Sequence, residues 1–178
     1  NHWAGNDVVG WIDFLYAGNP QVEVKLDRFS GYASSSIGFI ALDCNTLPPS
    51  GQKNCTDPPW FVSIEVQENA QQQIIAVNLA GWAWNDNIGW ISFCGDGNNF
   101  STWNSGSNTW ECPQNPAYQV QITPSGASQG EFTGFAWNDV IGWISFNCSN
   151  TGTCGAVDYK VKLKVYPSGN YLISSIYD

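Results

Sequence analysis

Residues 81–93 read GWAWNDNIGWISF, and residues 134–146 repeat them as GFAWNDVIGWISF. A shorter copy, GYASSSIGFIAL, fills 31–42, and a fourth, WAGNDVVGWIDF, fills 3–14. Self-similarity of this kind is read before any single segment, because the repeat defines the folding unit. Within each copy, Asn-Asp or Ser-Ser separates two short runs rich in aromatic and β-branched residues, the signature of strands joined by a tight turn. Gly10, Gly38, Gly89 and Gly142 follow the turn and read as places for a bulge or a close strand approach.

Upstream of each later copy lies a segment of strict alternation. Val22, Val24 and Leu26 interleave with Glu23, Lys25 and Asp27; Val62, Ile64 and Val66 with Ser63, Glu65 and Gln67. Tyr118, Val120 and Ile122 interleave with Gln119 and Gln121, and Tyr159, Val161, Leu163 and Val165 with Lys160, Lys162 and Lys164. Period two means one dry and one wet face, as in antiparallel sheets. The predicted fold is therefore all-β: repeats of about three antiparallel strands with disulfide-closed loops. The chain divides as one domain over 1–178, with a half repeat at 3–14, repeats at 20–55, 60–112 and 117–154, and a terminal half repeat at 159–178. No run of helical period is long enough to compete.

Three cysteine pairs, Cys44/Cys55, Cys94/Cys112 and Cys148/Cys154, each follow the third strand of a repeat. The repeat thus selects neighbour pairing, and disulfides imply an oxidising, extracellular setting. Metal-site spacing is missing and the only histidine is His2, so the expected metal content is none. Sequons at Asn54, Asn99 and Asn147 fall beside these loops and are candidate glycosylation sites. The chain opens without Met or an apolar leader, which reads as a mature secreted form.

The formal charge is −9, the wrong sign for a nucleic-acid partner, and no apolar run is long enough for membrane insertion as a helix. A hydrolytic triad has no base beyond His2, and every cysteine has a partner, so no catalytic residue is assigned and the chain is not expected to be an enzyme. Asp7, Asp86 and Asp139 recur at one turn position and read as turn residues. Asp96-Gly97-Asn98-Asn99 offers oxygen ligands on a bent loop, a candidate calcium site that departs from EF-hand spacing.

Trp3, Trp11, Trp82, Trp84, Trp90, Trp137 and Trp143 sit at matching repeat positions and are expected in the core. Trp103 and Trp110 lie outside the repeat, on a hairpin inside the Cys94–Cys112 loop, and Trp60 follows Pro58-Pro59. These three are candidate ligand-stacking residues for a glycan or a protein; packing of Trp103 on Trp110 as a small satellite core is the competing reading.

The ends are complementary. Residues 3–14 lack an alternating strand, and 159–178 have one but stop before the Gly-Trp-Ile-Ser-Phe strand. Pairing of the N- and C-terminal segments completes a unit, either within one molecule, as a barrel, propeller or sandwich, or between molecules as a head-to-tail filament. Trp3, Trp11, Tyr159, Val161, Leu163, Val165, Tyr171 and Ile173 are the assembly candidates. The terminal segment carries three Lys against one Asp, and the rest of the chain 3 bases against 14 acids, a polarity that steers the end onto an acidic body or guards an exposed edge.

The phrase Gly-Trp-Ala-Trp-Asn-Asp-x-Ile-Gly-Trp-Ile-Ser-Phe resembles the Trp-rich repeats of bacterial and archaeal secreted and cell-surface proteins, in which such blocks alternate with cysteine loops. The resemblance covers 3–14, 31–42, 81–93 and 134–146, with 31–42 departing most, and it implies a cell-surface setting without a tied catalytic activity. The incomplete ends are similar in construction to donor-strand pilus subunits. Two functions follow as expectations: a self-assembling structural subunit of an extracellular filament or surface layer, or a secreted carbohydrate-binding adhesion module using loop aromatics.

Overall fold

The computed structural model describes residues 2–16, 21–46, 55–72, 74–124, 129–168 and 171–176. The first copy of the repeat forms β1 (Trp3–Asn6) and β2 (Gly10–Asp13). Next come β3 (Glu23–Val24), β4 (Phe29–Ser30), β5 (Tyr32–Ser35) and β6 (Gly38–Ala41). The third copy lies in β7 (Val62–Glu68), β8 (Ile74–Asn85) and β9 (Gly89–Ser92), followed by β10 (Cys94–Gly95). A separate hairpin pairs β11 (Thr102–Asn104) with β12 (Thr109–Glu111). The chain continues through β13 (Tyr118–Pro124), β14 (Gln129–Asn138) and β15 (Gly142–Ser145) to β16 (Lys162–Ser168) and β17 (Tyr171–Ile176).

The pairings form two circuits. In the first, the four Asn-Asp or Ser-Ser hairpins β1–β2, β5–β6, β8–β9 and β14–β15 lie side by side. Their joints are equivalent: Asp13↔Ser34, Ala41↔Trp84, Ser92↔Trp137 and Ser145↔Gly5. The last of these, between β1 and β15, returns the circuit to its start and joins the two ends of the chain. In the second circuit the alternating strands pair with their successors as β3–β4, β7–β8, β13–β14 and β16–β17. These pairs meet through β8–β13, β14–β16, β17–β3 and the bridge Arg28↔Ser63. Closing the ladders leaves few open strand edges.

β8 and β14 run through both circuits, bending where the backbone crosses from one to the other. The bend falls on Gly81 and Gly134, and on Gly31 between β4 and β5, with φ of 80°, 84° and 89°. A Cβ at these positions would lie 2.2, 1.9 and 1.8 Å from the carbonyl oxygens of Phe61, Gln119 and Gln21, so only glycine fits. The three glycine carbonyls accept hydrogen bonds from the amides of Phe93, Phe146 and Leu42 at 3.1, 3.2 and 3.0 Å. His2 takes the fourth place: its carbonyl accepts from the Phe14 amide at 2.9 Å, and it bridges to Val161 as Gly81 pairs with Val62 and Gly134 with Val120. The N- and C-terminal segments therefore pair with one another within one chain.

The core corrects the placement of the tryptophans. Inward positions are Ala4, Ile12 and Phe14; Ala33, Ile40 and Leu42; Ala83, Ile91 and Phe93; Ala136, Ile144 and Phe146, all buried. The tryptophans alternate with them and point outward, so Trp11, Trp90 and Trp143 stay 47%, 43% and 49% exposed. Small Ala opposite Ile fills the interior where indoles would overfill it. Each fully buried Ile or Phe contributes about 1.5–3 kcal/mol. Val62, Val120, Val161, Ile122 and Leu163 continue this core into the second circuit.

Two further readings of the turn change. Gly10, Gly38, Gly89 and Gly142 serve neither a bulge nor a close approach; with φ of 74°, 98°, 75° and 75° they close the turns in the left-handed region. The turn asparagines, besides shaping the turn, clamp neighbouring hairpins. Asn138 donates through Nδ2 to the carbonyls of Ile88 and Trp90, and its Oδ1 accepts from the amides of Val140 and Ile141. Asn85 makes the same contacts to Ile37 and Phe39, and Asn6 to Ile141 and Trp143. At the remaining joint Ser36 Oγ donates to the Val9 carbonyl at 2.8 Å.

The three disulfides are Cys44–Cys55, Cys94–Cys112 and Cys148–Cys154. Among the assembly candidates, Tyr159, Val161 and Leu163 are buried in the intrachain seam and Tyr159 meets Trp11 at 5.2 Å. Trp3 pairs with Asp13 inside its own hairpin. The backbones of Val165, Tyr171 and Ile173 pair within the β16–β17 hairpin, and their side chains lie outside the described residues. Lys160 and Lys162 approach Glu131 within the same chain at 3.9 and 3.7 Å. Among the described residues no helix is long and apolar enough to cross a membrane.

Candidate aromatic binding site

Outward-pointing rings cluster because β8 and β9 place them opposite one another. Trp84 and Trp90 are cross-strand partners with centroids 4.7 Å apart at 68°, an edge-to-face pair. The Asp86 carboxylate holds the first of these, accepting from Trp84 Nε1 at 2.8 Å; Asp139 does the same for Trp137, also at 2.8 Å. Asp86 and Asp139 therefore orient indoles as well as occupying the turn. Trp60 and Trp82 stand edge-on to Trp90 at 5.4 and 6.1 Å.

Trp60 is a repeat residue after all. It lies two positions before Val62, as Tyr118 precedes Val120 and Tyr159 precedes Val161. Its carbonyl accepts from Cys44 N at 2.9 Å, as that of Tyr159 accepts from Cys148 N at 2.9 Å. The swap of Tyr for Trp and the unequal loops before it hid the equivalence.

Trp110 reaches this cluster from the β11–β12 hairpin, tethered by Cys94–Cys112. Its amide donates to Ser63 Oγ at 2.8 Å and its Nε1 to the Pro59 carbonyl at 3.0 Å. Trp60, Trp82, Trp90 and Trp110, with Thr56 and Pro58, line an open cleft of about 310 Å³. Trp103 pairs with Trp110 at 5.6 Å and packs edge-on against Phe61 at 5.9 Å, so it supports the hairpin instead of lining the cleft. Of the three stacking candidates, Trp60 and Trp110 thus meet in one place. Trp82 and Trp90, expected in the core, complete it.

The other candidate sites are more ordinary. Asp96 Oδ1 accepts from the amides of Asn98 and Asn99 at 2.9 and 2.7 Å, and Oδ2 from Asn99 Nδ2 at 3.0 Å. These bonds, that from the Asn99 side chain foremost, hold its carboxyl below the usual range. Asn99 is exposed, whereas Asn147 is buried, with Nδ2 donating to the Phe132 carbonyl at 3.0 Å and Oδ1 capping the short 3₁₀ turn Cys148–Asn150. Asn54 lies outside the described residues. Cys148, Cys154 and Asp158 cluster within 4.8 Å, but the two sulfurs are bonded to each other. His2 Nδ1 lies 2.6 Å from Asp13 Oδ1. No known protein family, curated protein or solved structure matches the chain.

Proposed function

We propose that this chain is a secreted carbohydrate-binding module of adhesive type, with the tryptophan cleft as its binding surface. The observation that carries the reading is the convergence of Trp60, Trp82, Trp90 and Trp110 from three separate segments on one open cleft. A pyranose ring presents C–H groups on its faces, which lie favourably against indole rings. The indole N–H groups of Trp82 and Trp90 donate no hydrogen bond among the described residues and are available to sugar hydroxyls. A charge of −9 disfavours anionic glycans and leaves neutral ones.

On this reading the two pairing circuits are stacked barrels that hold the rings rigidly, so little side-chain freedom is lost on binding. Three disulfides support an extracellular setting. The head-to-tail filament would use the terminal segments differently: the intrachain seam would have to open and re-form between molecules. That makes the filament the less economical reading.

The test is a glycan array followed by calorimetric titration of the strongest hit, with Trp90→Ala and Trp110→Ala beside the parent chain. Binding by the parent, weakened about tenfold or more in both variants, is expected from losing one stacked ring. Absence of any glycan hit, or affinity untouched by both substitutions, overturns the reading. Fibre growth in light scattering would revive the filament.

A further inference from the structure

The register position held by Trp84 and Trp137 is Ser34 in β5 and Gly5 in β1. Where tryptophan is present, the indole covers its cross-strand partner and donates to the turn aspartate. At Ser34 the gap is flanked by Tyr16 and Tyr32, both near Phe39, at 5.5 and 5.4 Å. At Gly5 no in-strand ring stands in. Trp11, the cross-strand partner, is 47% exposed and meets Tyr159 edge-on at 5.2 Å, and the Tyr159 ring lies 3.4 Å from where a Gly5 Cβ would stand. Asp7, the counterpart of Asp86 and Asp139, is exposed and its carboxylate accepts no hydrogen bond among the described residues. The result is an open cleft of about 550 Å³ along the seam between the β1–β2 and β14–β15 hairpins, bordered by Trp143, Thr151 and Thr153. Its size falls in the range of small-molecule sites.

We propose that this seam cleft is a second saccharide site, in which a gluco-configured pyranose occupies the place of the missing indole. The ligand class rests on the saccharide reading of the tryptophan cleft, and the site on Gly5 and Asp7. The vacated group is a neutral ring with an apolar face and one polar hydrogen aimed at a carboxylate. A pyranose with equatorial hydroxyls matches both features. Its axial C–H bonds lie against Trp11, and a hydroxyl donates to Asp7, a charge-assisted bond stronger than a neutral one. The hydroxyls of Thr151 and Thr153 lie at the rim for neighbouring sugar oxygens.

Two sites on one chain change what the module does. It then links two glycan strands, or grips one strand twice, gaining avidity without any new contact.

The experiment is calorimetric titration of the full chain with cellotriose and chitotriose, counting sites, with choline as a cation control. Gly5→Trp should fill the cleft with the residue found at the equivalent positions and abolish one site. Its backbone is not left-handed and a Cβ meets only the Trp11 and Tyr159 rings at 3.4 Å. Asp7→Ala, at an exposed position, tests the same site without relying on that fit and should weaken it about tenfold or more. Trp90→Ala should remove only the other site. Two sites retained in both Gly5→Trp and Asp7→Ala overturn the seam site and leave the tryptophan cleft standing. Loss of all binding in those variants, with Trp90→Ala unchanged, supports the seam site and removes the other. Binding of choline without either sugar, or no binding at all, overturns the proposal.

Discussion

Replacing Asn138 with alanine should loosen one joint of the first circuit more than any other change of that size. The side chain is 1% exposed and makes four hydrogen bonds: 3.0 and 2.8 Å to the carbonyls of Ile88 and Trp90, and 2.9 and 3.0 Å from the amides of Val140 and Ile141. Each such bond contributes a net of about 1 kcal/mol, and a buried group left without a partner costs about 1–3 kcal/mol. Relaxation and entering water recover part of that penalty, so the expected loss is about 4 kcal/mol. For a domain of this size that lowers Tm by about 8–16 °C. The assay is urea unfolding followed by tryptophan fluorescence, disulfides intact, with calorimetry for Tm. Asp139→Ala is the control, because it removes one exposed bond to Trp137 and should cost about 0.5 kcal/mol or less. A loss below about 1 kcal/mol for Asn138→Ala, or one equal to that of Asp139→Ala, would refute the view that asparagine clamps hold the hairpins together.

Glu65 is held above the usual carboxylate range by burial and, secondarily, by Glu111, against the lowering effect of the Cys112 amide. Its folded value therefore exceeds its unfolded one, the native state binds the extra proton, and stability falls as pH rises through the window between them. Glu65→Gln should flatten this limb of a stability–pH curve above about pH 4.5 and be more stable than the parent at pH 7; a steeper limb would contradict the assignment. Gly81→Ala should be far costlier than Gly89→Ala, because the first meets the Phe61 carbonyl at 2.2 Å while the second meets only the Trp84 ring at 3.7 Å. Roughly 3 kcal/mol or more against about 1 kcal/mol is expected in the same urea assay, and equal losses would remove the bend argument. Replacing both Cys94 and Cys112 by serine should cost about 3 kcal/mol and release Trp110, so sugar affinity at the tryptophan cleft should fall with stability; a variant that binds as the parent does would separate the hairpin from the site.

Much of the frame was legible in sequence because period-two alternation and the turn phrase are local signals. The disulfide pairing followed from where each cysteine falls in the repeat, and the meeting of the ends from what each terminal copy lacks. The face of the sheet was not legible. Both faces of GWAWNDNIGWISF are apolar, so hydrophobicity alone favours Trp as core, whereas the narrow interior admits Ala83, Ile91 and Phe93 and turns Trp82, Trp84 and Trp90 outward. The clamps escaped for another reason: Asn138 bonds Ile88 and Trp90 across nearly fifty residues of chain, and no local pattern records such a partner. The cleft needed Trp110, carried in by a hairpin that among the described residues only one repeat shows, and Trp60, hidden by loops of unequal length.

The seam gives the four units a cyclic order. His2 and Gly5 make to Val161 and Ser145 the backbone pairings that Gly81 and Trp84 make to Val62 and Ala41, so the place where the polypeptide is cut is not dictated by the ladder. A chain opened in the 113–117 connection, with residue 176 joined to residue 2 through a flexible linker, should recover the same pairings. Saccharide binding kept at the seam cleft of the permuted chain would tie that site to Gly5, Asp7 and their neighbours and not to the order in which the units are strung.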